Sequence, residues 1–274
     1  MIRNVFIFLV FSMITQAQPN CNVFLMNKDT AKYEACEYVS AHKDDYYQFD
    51  WRQMDIWNKA IAMCPNFAYP LREYGVPYLK AGNFIEWKKY IDRAVELEPM
   101  DYLGIRASLK FKFVADYEGA INDIEACNKL FRGNNIGYTN DGTYHLNMVK
   151  GLCLKALGRI KEAIDIWEYQ LAKDDHSLGM YDYLHIGVLY YDDGKYKEAI
   201  KYLEKQTVEN DIAENRYYLA KCYRALGNKT KYDDQIAIAH AYITKSKTMS
   251  DPYSELFDQV YLQDILEEMN KKWR

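Results

Sequence analysis

The sequence predicts an all-α protein built from repeated helical hairpins. Three observations predict it. Apolar residues recur at three- and four-residue steps, the stripe of a helix that faces a core. Pro (6) and Gly (13) are few among 274 residues and no alternating apolar runs occur, which argues against an all-β fold. A helix–turn–helix pattern also returns at near-constant intervals. Small residues lie 33 apart at Gly75 and Ser108, 36 apart at Gly151 and Gly187, and 33 apart at Gly187 and Ala220.

The clearest unit runs from Met180 to Ile212. Its first helix carries Tyr183, Ile186, Gly187 and Tyr190, and its second carries Tyr196, Ala199, Ile200 and Leu203. Asp192-Asp193-Gly194-Lys195 separates them. Gly194 falls where a left-handed residue ends a helix. Gly187 and Ala199 are small where the two helices must approach closely.

The spacing Tyr183-x2-Ile186-Gly187-x2-Tyr190, then Ala199-x3-Leu203, resembles the tetratricopeptide repeat. That family carries W-x2-L-G-x2-Y…A-x3-F…P over about 34 residues. Here Tyr replaces Trp, Leu replaces Phe, and Asp211 replaces the closing Pro. The resemblance implies a right-handed solenoid of about six hairpins, in an exported bacterial member of the family.

In chain order, Met1-Ile2-Arg3 and the apolar run Val5–Phe11 with Met13-Ile14 precede Thr15-Gln16-Ala17. This reads as a signal peptide, residues 1–17, cleaved after Ala17, and the protein is expected to be periplasmic or extracellular. The alternative is an uncleaved amphipathic start. Gln18-Pro19-Asn20 before Cys21 does not resemble a lipobox. The apolar run is too short for a permanent span, so no integral membrane segment is expected after cleavage. Residues 18–33 read as an irregular lead-in.

The hairpins then fall at 34–67, 68–100, 101–134, 144–177, 180–212 and 213–246. In the second, Leu71, Tyr74, Gly75 and Tyr78 are in register, and Trp87 replaces the usual Ala, so a large ring must pack there. RGNNIGYTNDGT (132–143) breaks the series as a loop, either a solvated insertion or a functional one. Pro252–Trp273 reads as one helix within a C-terminal capping segment (251–274). Leu256, Phe257, Val260, Tyr261, Ile265, Leu266 and Met269 form its apolar face, and its polar face carries Glu267 and Glu268. Stacked repeats need such a polar-backed cover.

The net charge of −4, with no basic run, excludes a nucleic-acid binder. Six Cys in an exported chain invite disulfides. Cys127, Cys153 and Cys222 fall on core faces, which leaves Cys21 with Cys36, or Cys36 with Cys64, as candidate pairs. No C-x-x-C, P-loop or G-x-S-x-G occurs, and the four other His show no H-x-x-x-H spacing. Asp174-Asp175-His176 reads as a solvated turn rather than a metal cluster. No catalytic residue, metal or cofactor is expected.

The family resemblance carries the functional expectation. In that family the second, fifth, ninth and twelfth places of each first helix line a concave groove. Those places hold Tyr69 and Arg72; Tyr102; His145 and Met148; Tyr181, Leu184, Val188 and Tyr191; and Tyr217, Lys221 and Arg224. Tyr and Arg are residue types that anchor interfaces. The resemblance therefore implies a non-catalytic scaffold that binds a peptide or protein segment, in a cell-envelope assembly. The alternative is a self-associating module, a possible homodimer, whose groove is filled by its own C-terminal helix.

Overall fold

A computed structural model describes residues 19–132 and 134–273. The predicted signal peptide lies outside the described residues. Those residues are helical, with one isolated bridge, Tyr138 to His145, and no strands. They form two compact units, divided at Leu97.

The first unit begins with α1 (Cys21–Met26), so the lead-in is not irregular as expected. Asn20 caps it by accepting from the Asn22 N–H. A Cys21–Cys36 disulfide ties α1 to α2 (Thr30–His42). Cys64 stays a free buried thiol in the same cluster, with Ala35 and Phe67. Asp29 caps α2 through the Lys32 N–H, which starts that helix within the lead-in. The hairpins are α2 with α3 (Trp51–Met63), and α4 (Ala68–Lys80) with α5 (Phe84–Leu97). In the second, Trp87 is buried against Gly75, so the large ring fits because the facing position lacks a side chain.

The second unit holds four hairpins. They are α6 (Pro99–Leu109) with α7 (Tyr117–Leu130), and α8 (Leu146–Ala156) with α9 (Ile160–Leu171). α10 (Asp182–Asp192) with α11 (Tyr196–Glu209), and α12 (Ala213–Ala225) with α13 (Lys229–Ile243), complete them. The turn after α10 is a Schellman motif: the Lys195 N–H donates to the Tyr190 carbonyl and the Gly194 N–H to that of Tyr191. Gly194 is left-handed, at φ +75°. The turn after α6 has no glycine at this place. Ala115 takes the left-handed conformation instead, at φ +55°, and a π-helical turn over Lys110–Val114 precedes it.

Close approach shows best at Gly151, where a Cβ would lie 1.9 Å from the Trp167 ring. That ring is fully buried, and its Nε1–H donates to the Met148 carbonyl at 3.2 Å. Cys127, Cys153 and Cys222 are buried free thiols, and desolvation pushes Cys127 up to about 11 and the other two to about 12. They are packing residues, unreactive as nucleophiles.

Two expectations about loops change. The 132–143 loop is not simply solvated: Ile136 and Thr139 are buried, and Asp141 pairs with Lys112 at 2.8 Å. The C-terminal segment is not one helix. Only α14 (Leu262–Asn270) is helical. Asp251 accepts from the backbone N–H groups of Tyr253 and Ser254 and so folds a turn that a helix would not contain. Asp258 is left-handed, at φ +63°. α14 starts only at Tyr261, whose N–H donates to Asp264.

Candidate functional site

The first helices α6, α8, α10 and α12 line the inner face of the second unit. Their apolar positions repeat at helical spacing on that face, so the sequence rule places the same face residues in each hairpin. The groove that this face forms is occupied. Residues 248–273 of the chain lie along it and change the standing of most expected groove residues.

Met148, Leu184 and Val188 are fully buried, and Tyr102, His145, Tyr181 and Tyr217 nearly so. None of these seven offers an open surface to a ligand. In the first unit, Arg72 is buried and paired with Glu73, and the half-buried Tyr69 packs edge-on against Trp57. Only Tyr191, Lys221 and Arg224 of the expected set remain partly exposed in the second unit.

Four charged contacts pin the cover. Lys112 donates to Asp251 at 2.6 Å, and Lys155 to Asp258 at 2.5 Å. The His185 ring meets the same Asp258 carboxylate at 2.7 Å, and its other nitrogen meets the Tyr144 hydroxyl at 3.0 Å. Arg224 donates to Glu268 at 3.1 Å. Asp258 is only 5% exposed. Burial alone would raise its carboxyl, but Lys155 and His185 outweigh burial and hold it below the ordinary carboxylate range. The same pairing raises Lys155 against the pull of its own burial.

Apolar contacts add to these pins. The Phe257 ring stacks on Phe111 and meets Tyr117 edge-on, with centroids 5.4 and 6.0 Å away. Val260 and Ile265 are buried, whereas Tyr261, Leu266 and Met269 of the expected apolar face are exposed. Glu268, expected on the polar outer face, is buried instead, and its carbonyl accepts from the Tyr232 hydroxyl at 2.9 Å. At the other end, the buried Glu214 carboxylate accepts from the Met249 N–H and from the Thr248 hydroxyl. Burial raises Glu214, and its Oε2 has no hydrogen-bond partner among the described residues.

Lys221 differs from the other inner-face cations. It makes no ion pair among the described residues. Its ammonium sits 4.7 Å from the Tyr191 ring centroid, 5.3 Å from Tyr217 and 5.5 Å from Tyr218. Desolvation lowers its pKa from the usual lysine value.

His176 is not the solvated turn residue expected. Its side chain is 4% exposed and hydrogen-bonds Asp182 at 3.0 Å. The His145 ring lies 6.0 Å from it. Burial, then the neighbouring His176 and Lys173, push His145 down to about 4. Among the described residues, no group of His, Cys, Asp and Glu has the arrangement of a metal site. No described helix is long and apolar enough to cross a membrane.

Repeated hairpins of this geometry resemble those of tetratricopeptide-repeat proteins. The sequence profile of the tetratricopeptide repeat matches residues 183–207, most of the α10–α11 hairpin. Two solved structures share the fold along most of their length. PilW, described as a widely conserved type IV pilus biogenesis factor, has a TM-score of 0.58 at 16% identity, covering 88% of this chain and 98% of its own. PilF of Pseudomonas aeruginosa has a TM-score of 0.57 at 11% identity, covering 89% and 98%. At such identities the likeness is one of fold.

Proposed function

We propose that the chain is an exported, non-catalytic scaffold of a bacterial cell-envelope assembly, which takes a carboxylate-bearing segment of a partner protein at the open end of its inner face. The observation that carries this reading is Lys221. A half-buried ammonium among three tyrosine rings, with no ion pair among the described residues and only through-space help from Glu268 and Asp192, is an incomplete charge pair. Burial lowers its pKa, and an incoming carboxylate would favour the charged form. Charge-assisted hydrogen bonds of this kind are about twice as strong as neutral ones. The likeness in fold to a pilus biogenesis factor supports an envelope setting, as does the signal-like start.

Affinity capture from the native envelope fraction tests the reading. Wild type is expected to retain a defined partner, and Tyr191→Ala with Lys221→Ala to lose it while helical content stays unchanged. Capture that is indifferent to this double substitution would sink the proposal.

A further inference from the structure

The chain's own cover shows what the inner face selects. We infer that the face between α6 and α10 is a receptor for a partner segment with an aromatic residue followed directly by a carboxylate, and that residues 251–259 are its built-in stand-in. The inference rests on the scaffold reading and names the partner's chemistry.

The first argument is complementarity. Along 251–259, Asp251 meets Lys112, Phe257 meets Phe111 and Tyr117, and Asp258 meets Lys155 and His185. Acid, ring and acid each face a group of matching chemistry. A pocket of about 140 Å³ lies beside Phe257, bounded by Ser108, Phe113, Leu152 and Leu256. It leaves room for a larger ring than phenylalanine.

The second argument is how the strap is held. Its flanks are anchored separately, before it by Glu214 on Thr248 and Met249, and after it by Arg224 and Tyr232 on Glu268. Within 251–259 the described main-chain N–H bonds stay inside the strap. Tyr253 and Ser254 donate to Asp251, Leu256 to the Gln259 side chain, and Gln259 to the Leu256 carbonyl. Among the described bonds of 251–259, the hairpins grip the strap by its side chains, and backbone bonds to the hairpins lie at its edges, at Ser250 and Val260. Asp258, its central pin, is also held in the left-handed region, a conformation that release would relieve. A ligand with the same side-chain chemistry and an unstrained backbone can replace it.

Fluorescence anisotropy with a labelled peptide of sequence 250–260, Ser-Asp-Pro-Tyr-Ser-Glu-Leu-Phe-Asp-Gln-Val, tests this on the full chain. Phe257→Ala with Asp258→Ala, which loosens the resident strap, is expected to bind the peptide at least tenfold more tightly than wild type. Adding Lys155→Ala is expected to remove that gain. A double variant that keeps its helical signal and binds no peptide overturns the inference, as does binding indifferent to Lys155. Should the double variant lose helix, Asp251→Ala loosens only the front of the strap and is read by the same two outcomes. A partner captured through Tyr191 and Lys221, with no peptide bound, overturns this inference and leaves the scaffold reading intact. Peptide binding without a captured partner does the reverse.

Discussion

Asp258→Ala measures how the strap is held. The carboxylate makes two charge-assisted contacts, with Lys155 at 2.5 Å and His185 at 2.7 Å. Removing one partner of a buried pair costs about 3–5 kcal/mol when the other is left alone. Lys155 is not left alone, because Asp192 lies 3.0 Å away. The lower end, about 3 kcal/mol, therefore applies, and at 1.4 kcal/mol per tenfold it gives roughly a hundredfold change in the opening equilibrium. Alanine also tolerates the left-handed conformation at 258 less well than aspartate, which adds in the same direction. Native-state hydrogen exchange is the assay, because it separates local from global opening. Amides of residues 253–260 are expected to exchange roughly a hundredfold faster, while those in the middle of α8 and α10 keep wild-type protection. Equal losses in the strap and in both helices would refute the reasoning, because the strap would then open only with the whole unit. No change in the strap would refute the stated role of the Asp258 contacts.

Three other outcomes follow from the packing and the charges. Gly151→Ala would press a Cβ into the Trp167 ring and break its bond to Met148. Overpacking and a lost buried bond, less the helix preference of alanine, give a loss of about 2–3 kcal/mol by urea denaturation; Trp167→Leu in the same chain should recover part of it. His145 sits at about 4 when folded against an ordinary 6.5, so below pH 6.5 the unfolded chain takes up a proton that the folded chain refuses. Stability from this group is complete above pH 6.5 and falls by about 3 kcal/mol toward pH 4, and His145→Asn, which can still cap α8, should flatten that slope. Thiol counting in denaturant without reductant should give four free thiols, and reduction of Cys21–Cys36, a 15-residue separation, should cost the first unit about 3 kcal/mol.

Repetition made the hairpins legible in the sequence. Gly187, Gly194 and Ala199 recur in kind along the chain, because each hairpin solves the same packing problem. A Cβ at Gly187 would meet Leu203 at 2.7 Å and the Ala199 carbonyl at 3.4 Å, so the small residue is set by local geometry. Ala115 marks where repetition failed. It stands seven residues after Ser108, as Gly194 stands seven after Gly187, and the chain answers with a π turn and a left-handed alanine. The lead-in and the tail have no repeat to be read against. α1 depends on the disulfide and on Phe24 packing edge-on to Phe67, a contact between residues far apart in sequence.

A covering C-terminal segment stood in the sequence reading as the alternative, but its path did not. Tyr181, Leu184 and Val188 follow from position within a helix, whereas the tail that reaches Tyr181 through the Ser250 backbone comes from about seventy residues further along. A signal for that segment does exist in the sequence. Asp251, Asp258 and Glu268 are acids interleaved with Phe257, Val260 and Ile265. Their spacing of seven and ten residues does not keep them on the face opposite the apolar ones, as a simple amphipathic helix would require. Lys112, Lys155 and Arg224, one on each of three inner-face elements, are the matching cations. Partly buried cations at equivalent places of three hairpins favour carboxylate partners, because an unpaired charge in such a place is costly. The first helices offer too few acids at those places, so the carboxylates had to come from elsewhere in the chain. Lys221 occupies the ninth place of its helix, one turn before Arg224, and makes no ion pair among the described residues; Glu268 and Asp192 reach it only through space.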